Sequence, residues 1–100
     1  MNQAQLRAFH AVALAGSFTA AAKRIHVSQP AVTMAVKALE DAYGVELFRR
    51  RGRGVARTEL GGAVLEVTTR LFGMEEAAEE LLGGARGLRS ILEQSLIGTM

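Results

Sequence analysis

S-Q-P-A-V-T-M-A-V-K-A-L-E-D-A-Y, residues Ser28–Tyr43, combines one apolar stripe with one polar front end. Val32, Val36, Leu39 and Tyr43 stand at i, i+4, i+7 and i+11, the spacing that gathers four side chains on one side of a helix. Ser28 is a good N-cap, and Pro30 falls in the first turn, where its missing N–H has no intrahelical partner to lose. Gln29, Pro30, Thr33, Met34 and Lys37 crowd the opposite side. A helix with a buried back and a polar first turn suits a DNA major groove, where the leading residues of a recognition helix meet base edges.

The residues before this stretch supply its support. Asn2 with Gln5 three places on is a capping pair for a first helix, and Leu6, Phe9 and Ala13 mark its inward side. Gly16 ends that helix and Ser17 caps a second, short one whose Phe18, Ala21, Ala22 and Ile25 face inward. The alanines let another helix approach closely. His26 and Val27 form the turn into Ser28, and two helices joined by so short a turn form a helix-turn-helix.

After the stretch, Gly44 stops the helix. Val45, Leu47 and Phe48 begin an extended segment, Arg51-Gly52-Arg53-Gly54 makes a tight turn, and Val55-Ala56-Arg57 returns as a second strand. Four of the six residues from Arg49 to Gly54 are Arg, so this wing is expected to hold phosphate or to enter a minor groove. A solvated charge run is its blander reading. Thr58 caps the last helix, with Glu59 favourable against the dipole. Leu60, Val64, Val67, Leu71, Met74, Ala78 and Leu81 then recur at alternating spacings of four and three, a coiled-coil seam. From Glu59 to Leu82 such a helix is roughly 36 Å long, more than one small core covers, so the seam is expected to pair with a second copy. Packing of the stripe on the first helix is the alternative. Gly61 and Gly62 weaken its first turn by about 1 kcal/mol each. Gly83-Gly84 and Gly87 are expected to break it as a hinge, beyond which Leu88–Met100 needs a partner to be structured.

Composition narrows the function classes. One hundred residues make one small domain plus an appendage, and 49% apolar content with five aromatics fits an Ala/Leu/Val-rich helical chain. There is no Cys, hence no disulfide and no thiolate metal site; a reducing cytoplasm is compatible. No signal sequence, anchor or membrane span is expected. Residues 1–57 hold nine Lys/Arg against three acids, a net +6, whereas residues 58–100 hold three Arg against seven Glu, a net −4. The first half is built for a polyanion. Catalysis is the weakest reading: His10 and His26 are the only histidines, and neither an acid pair nor a phosphate-holding Gly loop follows a strand. His10 is expected at a surface or boundary, and His26 is a turn residue within reach of a phosphate. No cofactor and no metal are expected.

About the first 65 residues resemble the DNA-binding domain of LysR-type transcriptional regulators. The resemblance rests on F-x-A-V-A-x-A-G-S-F-T-A-A-A-K-R-I-H-V-S-Q-P-A-V-T at Phe9–Thr33, A-L-E at Ala38–Glu40, Y-G-V-E-L-F-R-R at Tyr43–Arg50 and R-G-V-A-R-T-E-L-G at Arg53–Gly61. It implies a mainly α fold, a winged helix-turn-helix of three helices and a two-stranded wing, followed by a long dimerising linker helix. It also implies a symmetric homodimer on an interrupted palindrome of double-stranded promoter DNA, with a tetramer in a longer protein and a small-molecule effector only where a C-terminal domain exists. The expected base-reading residues are Gln29, Pro30, Ala31, Thr33, Met34 and Lys37, and the expected backbone or minor-groove residues are Thr19, Arg24, Ser28, Arg50, Arg51 and Arg53. The expected domains are a winged unit over residues 1–58, a linker over 59–82, and over 83–100 a hinge with the start of an absent or truncated effector domain. Two departures stand out. Met34 and Ala35 replace the Arg and Gln frequent in the family, which favours thymine-methyl contact over a bidentate guanine contact at 34. Gly87-Leu88-Arg89-Ser90-Ile91 resembles only the opening of the family's effector domain. A different class, a protein-interaction module using the Met/Leu-rich last helix, is separated from the DNA reading by whether the chain binds any duplex at low salt.

Overall fold

Local capping signals set the ends of the first helices. In the computed structural model, which describes the backbone of residues 1–99 and the side chains of residues 1–84, the order is α1 (Gln3–Ala15), α2 (Phe18–Ile25), α3 (Gln29–Tyr43), β1 (Phe48–Arg51), β2 (Gly54–Arg57) and α4 (Glu59–Thr99). Asn2 and Gln5 close a reciprocal capping box: the Asn2 side chain accepts the Gln5 N–H at 2.8 Å, and Gln5 Oε1 accepts the Asn2 N–H at 3.2 Å. Ser17 and Ser28 accept from the N–H groups of Ala20 (3.1 Å) and Ala31 (3.2 Å). Gly16 and Gly44 end α1 and α3 in the left-handed conformation. α2 ends on His26, which at φ 58° is the non-glycine residue with positive φ among those described. Histidine tolerates that region better than branched residues do, and the conformation folds the chain back so that the Val27 N–H reaches the Ala22 carbonyl at 3.1 Å.

The three helices enclose Phe9, Val12, Ala21, Val32, Val36 and Leu39. The Phe48 ring closes this core from the wing side, its centroid 5.2 Å from that of Phe9 and 6.1 Å from that of Phe18. Tyr43 departs from the expected stripe: it is 59% exposed. α3 outruns the core by its last turn, so the ring lies at the edge of an apolar groove with Leu6, Leu39 and Leu60.

β1 pairs antiparallel with β2 from Phe48↔Arg57 to Arg51↔Gly54, leaving a two-residue loop with Gly52 at φ 57°. Val45 and Leu47 precede the strand instead of opening it, and Leu47 is buried. The Glu40 carboxylate of α3 fixes the entry by accepting the Leu47 N–H at 2.6 Å and the Phe48 N–H at 3.4 Å. At the far strand the Val55 N–H donates to the Gly16 carbonyl at 2.9 Å. A Cβ on Gly54 would run into that same carbonyl oxygen. The wing is thus pinned to α3 at one end and to the α1–α2 turn at the other.

Thr58 caps α4 as expected, its Oγ1 accepting the Gly61 N–H at 3.0 Å and donating to the Glu46 carbonyl at 2.7 Å. The expected seam does not supply the inward face. Leu60, Val67, Leu71, Met74 and Leu81 are 45, 60, 41, 71 and 75% exposed, Ala78 is exposed and Val64 is half-buried. Gly61, Leu65 and Thr68 turn inward instead, at the helical spacing of four and three. The first compact unit accordingly runs Met1–Thr69, past the boundary expected at 58, and the second is Arg70–Met100. α4 also continues through Gly83 and Gly84, where a break was expected. Neither glycine meets a neighbour, and a cost of about 1 kcal/mol each against Ala weakens a helix without ending it when no left-handed cap follows. The side-chain expectations for Leu88–Met100, and the Gly87–Ile91 match, lie outside the described residues. No described helix is long and apolar enough to cross a membrane.

His10 and Thr68 join α1 to α4 inside the first unit. His10 Nδ1 and Thr68 Oγ1 are hydrogen-bonded at 2.8 Å, and Thr68 Oγ1 also lies within hydrogen-bond distance, 3.2 Å, of the Leu65 carbonyl of its own helix. Burial, and then the Arg7 guanidinium, hold the imidazole pKa below its ordinary 6.5. The folded unit therefore binds fewer protons on His10 than the unfolded chain does as pH falls below 6.5. Stability present above pH 6.5 is lost on acidification through the depressed pKa. Urea unfolding midpoints are expected to fall between pH 7.5 and 5.5, and His10→Gln is expected to flatten that slope; an unchanged slope in the variant would remove His10 as its source.

Candidate nucleic-acid interface

The front of α3 is set out as its sequence spacing requires. Gln29, Pro30, Ala31 and Lys37 are exposed, Thr33 is half-buried and Met34 is 71% exposed. The buried trio Val32, Val36 and Leu39 fixes the roll of the helix, so these six side chains keep to the outer side. Ser28 Oγ is engaged by the Ala31 N–H, which leaves the hydroxyl proton free to donate outward. Gln29 and Thr33 are joined twice: Thr33 Oγ1 donates to the Gln29 carbonyl at 3.0 Å, and Gln29 Nε2 donates to Thr33 Oγ1 at 2.9 Å.

Beside this front lies a groove lined by Ser17, Thr19, Gln29, Arg49, Arg50 and Arg53. It brings the start of α2, the first residue of α3 and the wing to one place. Glu40 also lines it, with its Oε2 held by the Leu47 and Phe48 amides. Arg49 lies 3.8 Å from Glu46 with both side chains 75% exposed, an ion pair worth little in water. Arg50 and Arg53 are exposed, so the wing side of the groove is cationic. The N-termini of α2 and α3 add unpaired backbone N–H groups and a positive dipole end, which favour anions.

Two expected residues stand apart from that groove. Arg51 lines a depression with the last turn of α1 and Arg57. Arg24 lies on the outer side of α2 beside Lys23 and Leu14. Both are exposed cations flanking the groove. Sequence reasoning missed Glu40, since nothing local shows that a carboxylate will meet amides seven and eight residues later. It also missed Ser17 as a groove residue, whereas Arg49 lies within the wing expected to hold phosphate. Among the described residues no group of three or more His, Asp or Glu side chains is placed to hold a metal ion.

Comparison with known proteins places this geometry among regulators. The bacterial regulatory helix-turn-helix proteins of the lysR family match residues 3–62. The RuBisCO operon transcriptional regulator of Allochromatium vinosum is 44% identical over 97 residues, covering 93% of this chain and 32% of that protein. The HTH-type transcriptional regulator BudR of Klebsiella aerogenes is 43% identical over 93 residues, covering 92% and 65%. The chain spans less than two thirds of the length of either relative. Among solved structures, a complex of the CbnR DBD with DNA matches with a TM-score of 0.71 and 42% identity, covering 85% of this chain and 98% of that one. The complex of the BenM DBD with catB site 1 DNA matches with a TM-score of 0.76 and 27% identity, covering 85% and 94%.

Proposed function

The chain belongs to the lysR family of bacterial regulatory helix-turn-helix proteins, and from that membership we propose that it is the sequence-specific DNA-binding part of a transcription regulator. α3 enters the major groove with Gln29, Pro30, Ala31, Thr33, Met34 and Lys37 toward the bases. Thr19, Arg24, Ser28, Arg50, Arg51 and Arg53 hold the backbone or reach the minor groove. Residues 59–82 pair two copies through Leu60, Val64, Val67, Leu71, Met74, Ala78 and Leu81, and residues 83–100 lead toward an effector domain. The protein works in the cytoplasm by binding promoter DNA, not by catalysis.

The observation that carries this reading is the groove joining Gln29 of α3 to Thr19 of α2 and to Arg50 and Arg53 of the wing. One surface there combines phosphate-holding cations with a side chain able to pair with a base edge, the division of labour that DNA recognition needs. The net +6 on residues 1–57 supports it, as does a 42% identical chain solved with DNA. The exposed seam supports the pairing.

Titration with a mixed-sequence duplex at low salt tests the reading directly, and no binding there would reject it. Selection from random duplexes is expected to return a two-fold symmetric site. On the selected site Gln29→Ala is expected to cost about 1–3 kcal/mol and to relax sequence preference, while Arg53→Ala weakens selected and random duplexes alike. Equal losses on both duplexes for Gln29→Ala would remove Gln29 from base reading.

A further inference from the structure

Thr33 stands among the residues proposed to read bases, but its hydroxyl is already committed. A threonine hydroxyl has one proton and two acceptor lone pairs. That proton goes to the Gln29 carbonyl at 3.0 Å. With the proton on that carbonyl, the Gln29 amide atom 2.9 Å from Oγ1 is the donor Nε2, the arrangement that satisfies both bonds at once. One N–H of that NH2 group is spent on Thr33. The other N–H, and Oε1, remain for a partner, and both residues lie on the outer side of α3 with Gln29 exposed.

Resting on the DNA-binding reading, we propose that Thr33 is a positioning residue that sets the Gln29 amide to read adenine and to reject guanine. The outward pattern is one donor beside one acceptor. Adenine offers the complement in the major groove, an N7 acceptor beside an N6 donor. Guanine offers two acceptors, N7 and O6, which the reversed amide, with its NH2 outward, would satisfy. Thr33 disfavours that reversed amide, because its hydroxyl would have to leave the Gln29 carbonyl and turn its proton to Oε1. Base choice at this position is therefore decided by a side chain that need not touch the base.

Competition binding with four duplexes that differ only at the base pair lost from selection with Gln29→Ala tests this. The intact chain is expected to prefer adenine over guanine there by on the order of 10- to 100-fold, the span of a good bidentate pair. Thr33→Val keeps the shape, removes the hydroxyl and frees the amide; its adenine-to-guanine ratio is expected to fall at least fivefold, with thermal unfolding little changed. Thr33→Ser restores the hydroxyl and is expected to restore the ratio. A guanine preference in the intact chain, or an unchanged ratio in Thr33→Val, overturns the proposal and leaves DNA binding standing. Absence of binding to all four duplexes and to random DNA overturns both.

Discussion

Gly61→Ala is expected to lower the stability of the winged unit by about 3 kcal/mol, whereas Gly62→Ala, one residue on, is expected to raise it by about 1 kcal/mol. On propensity alone both changes help, since each removes a glycine from the first turns of a helix. Tertiary contact reverses the sign at one of them. A Cβ on Gly61 would collide with the Leu47 carbonyl oxygen and crowd its carbon at 3.1 Å, while a Cβ on Gly62 meets nothing within 4 Å. The Leu47 carbonyl cannot retreat cheaply. It accepts the Thr58 N–H at 3.0 Å, its own N–H is held by Glu40 at 2.6 Å, and its side chain is 3% exposed. Accommodation would push α4 off the segment that leads into the wing, so the cost falls at the upper end of the overpacking range. For a unit of this size each kcal/mol moves the melting temperature by roughly 4–8 °C, and the two variants should therefore melt on opposite sides of the parent. Equal melting temperatures would mean that α4 does not sit against Leu47.

The same pair of glycines shows what the amino-acid order makes legible. Caps are local, and Asn2, Gly16, Ser17, Ser28, Gly44 and Thr58 each act where they stand. The roll of α3 is legible up to Leu39 because hydrophobic spacing and burial agree there. α4 is different. Its hydrophobic spacing picks out the exposed seam from Leu60 to Leu81, but its inward face is Gly61, Leu65 and Thr68, two of which a hydrophobic pattern passes over. A glycine needed for close approach and a threonine bonded to His10 both look like liabilities in a helix until their neighbours are known. Within the interface, the front of α3 is legible for the same reason as its back. The separation of Arg50 from Arg51 requires knowing how the wing packs beside α1, and the Gln29–Thr33 link requires knowing how the two side chains turn on the first turn of α3.

Salt should produce the largest change of all. The proposed cationic contacts in one winged unit are Arg24, Arg50, Arg51 and Arg53, all exposed. Two units on one site would neutralise about eight phosphates, and each released counterion contributes about −0.9 to the slope of log K against log salt. A slope near −7 follows, so raising salt from about 50 to 200 mM should weaken binding by on the order of 10,000-fold. One unit acting alone would give a slope near −3.6 and a loss of roughly 150-fold. The measurement thus reports on the α4 seam as well as on the wing, because only pairing brings the second set of arginines to the same duplex. Arg53→Ala in a paired protein should shallow the slope by about 2, one phosphate from each copy, whereas a charged substitution in the seam, such as Leu71→Lys, should halve it while leaving each winged unit intact. A slope near −1 for the parent chain would reject the arginine set outright, since the remaining affinity would then have to come from contacts that release almost no counterions.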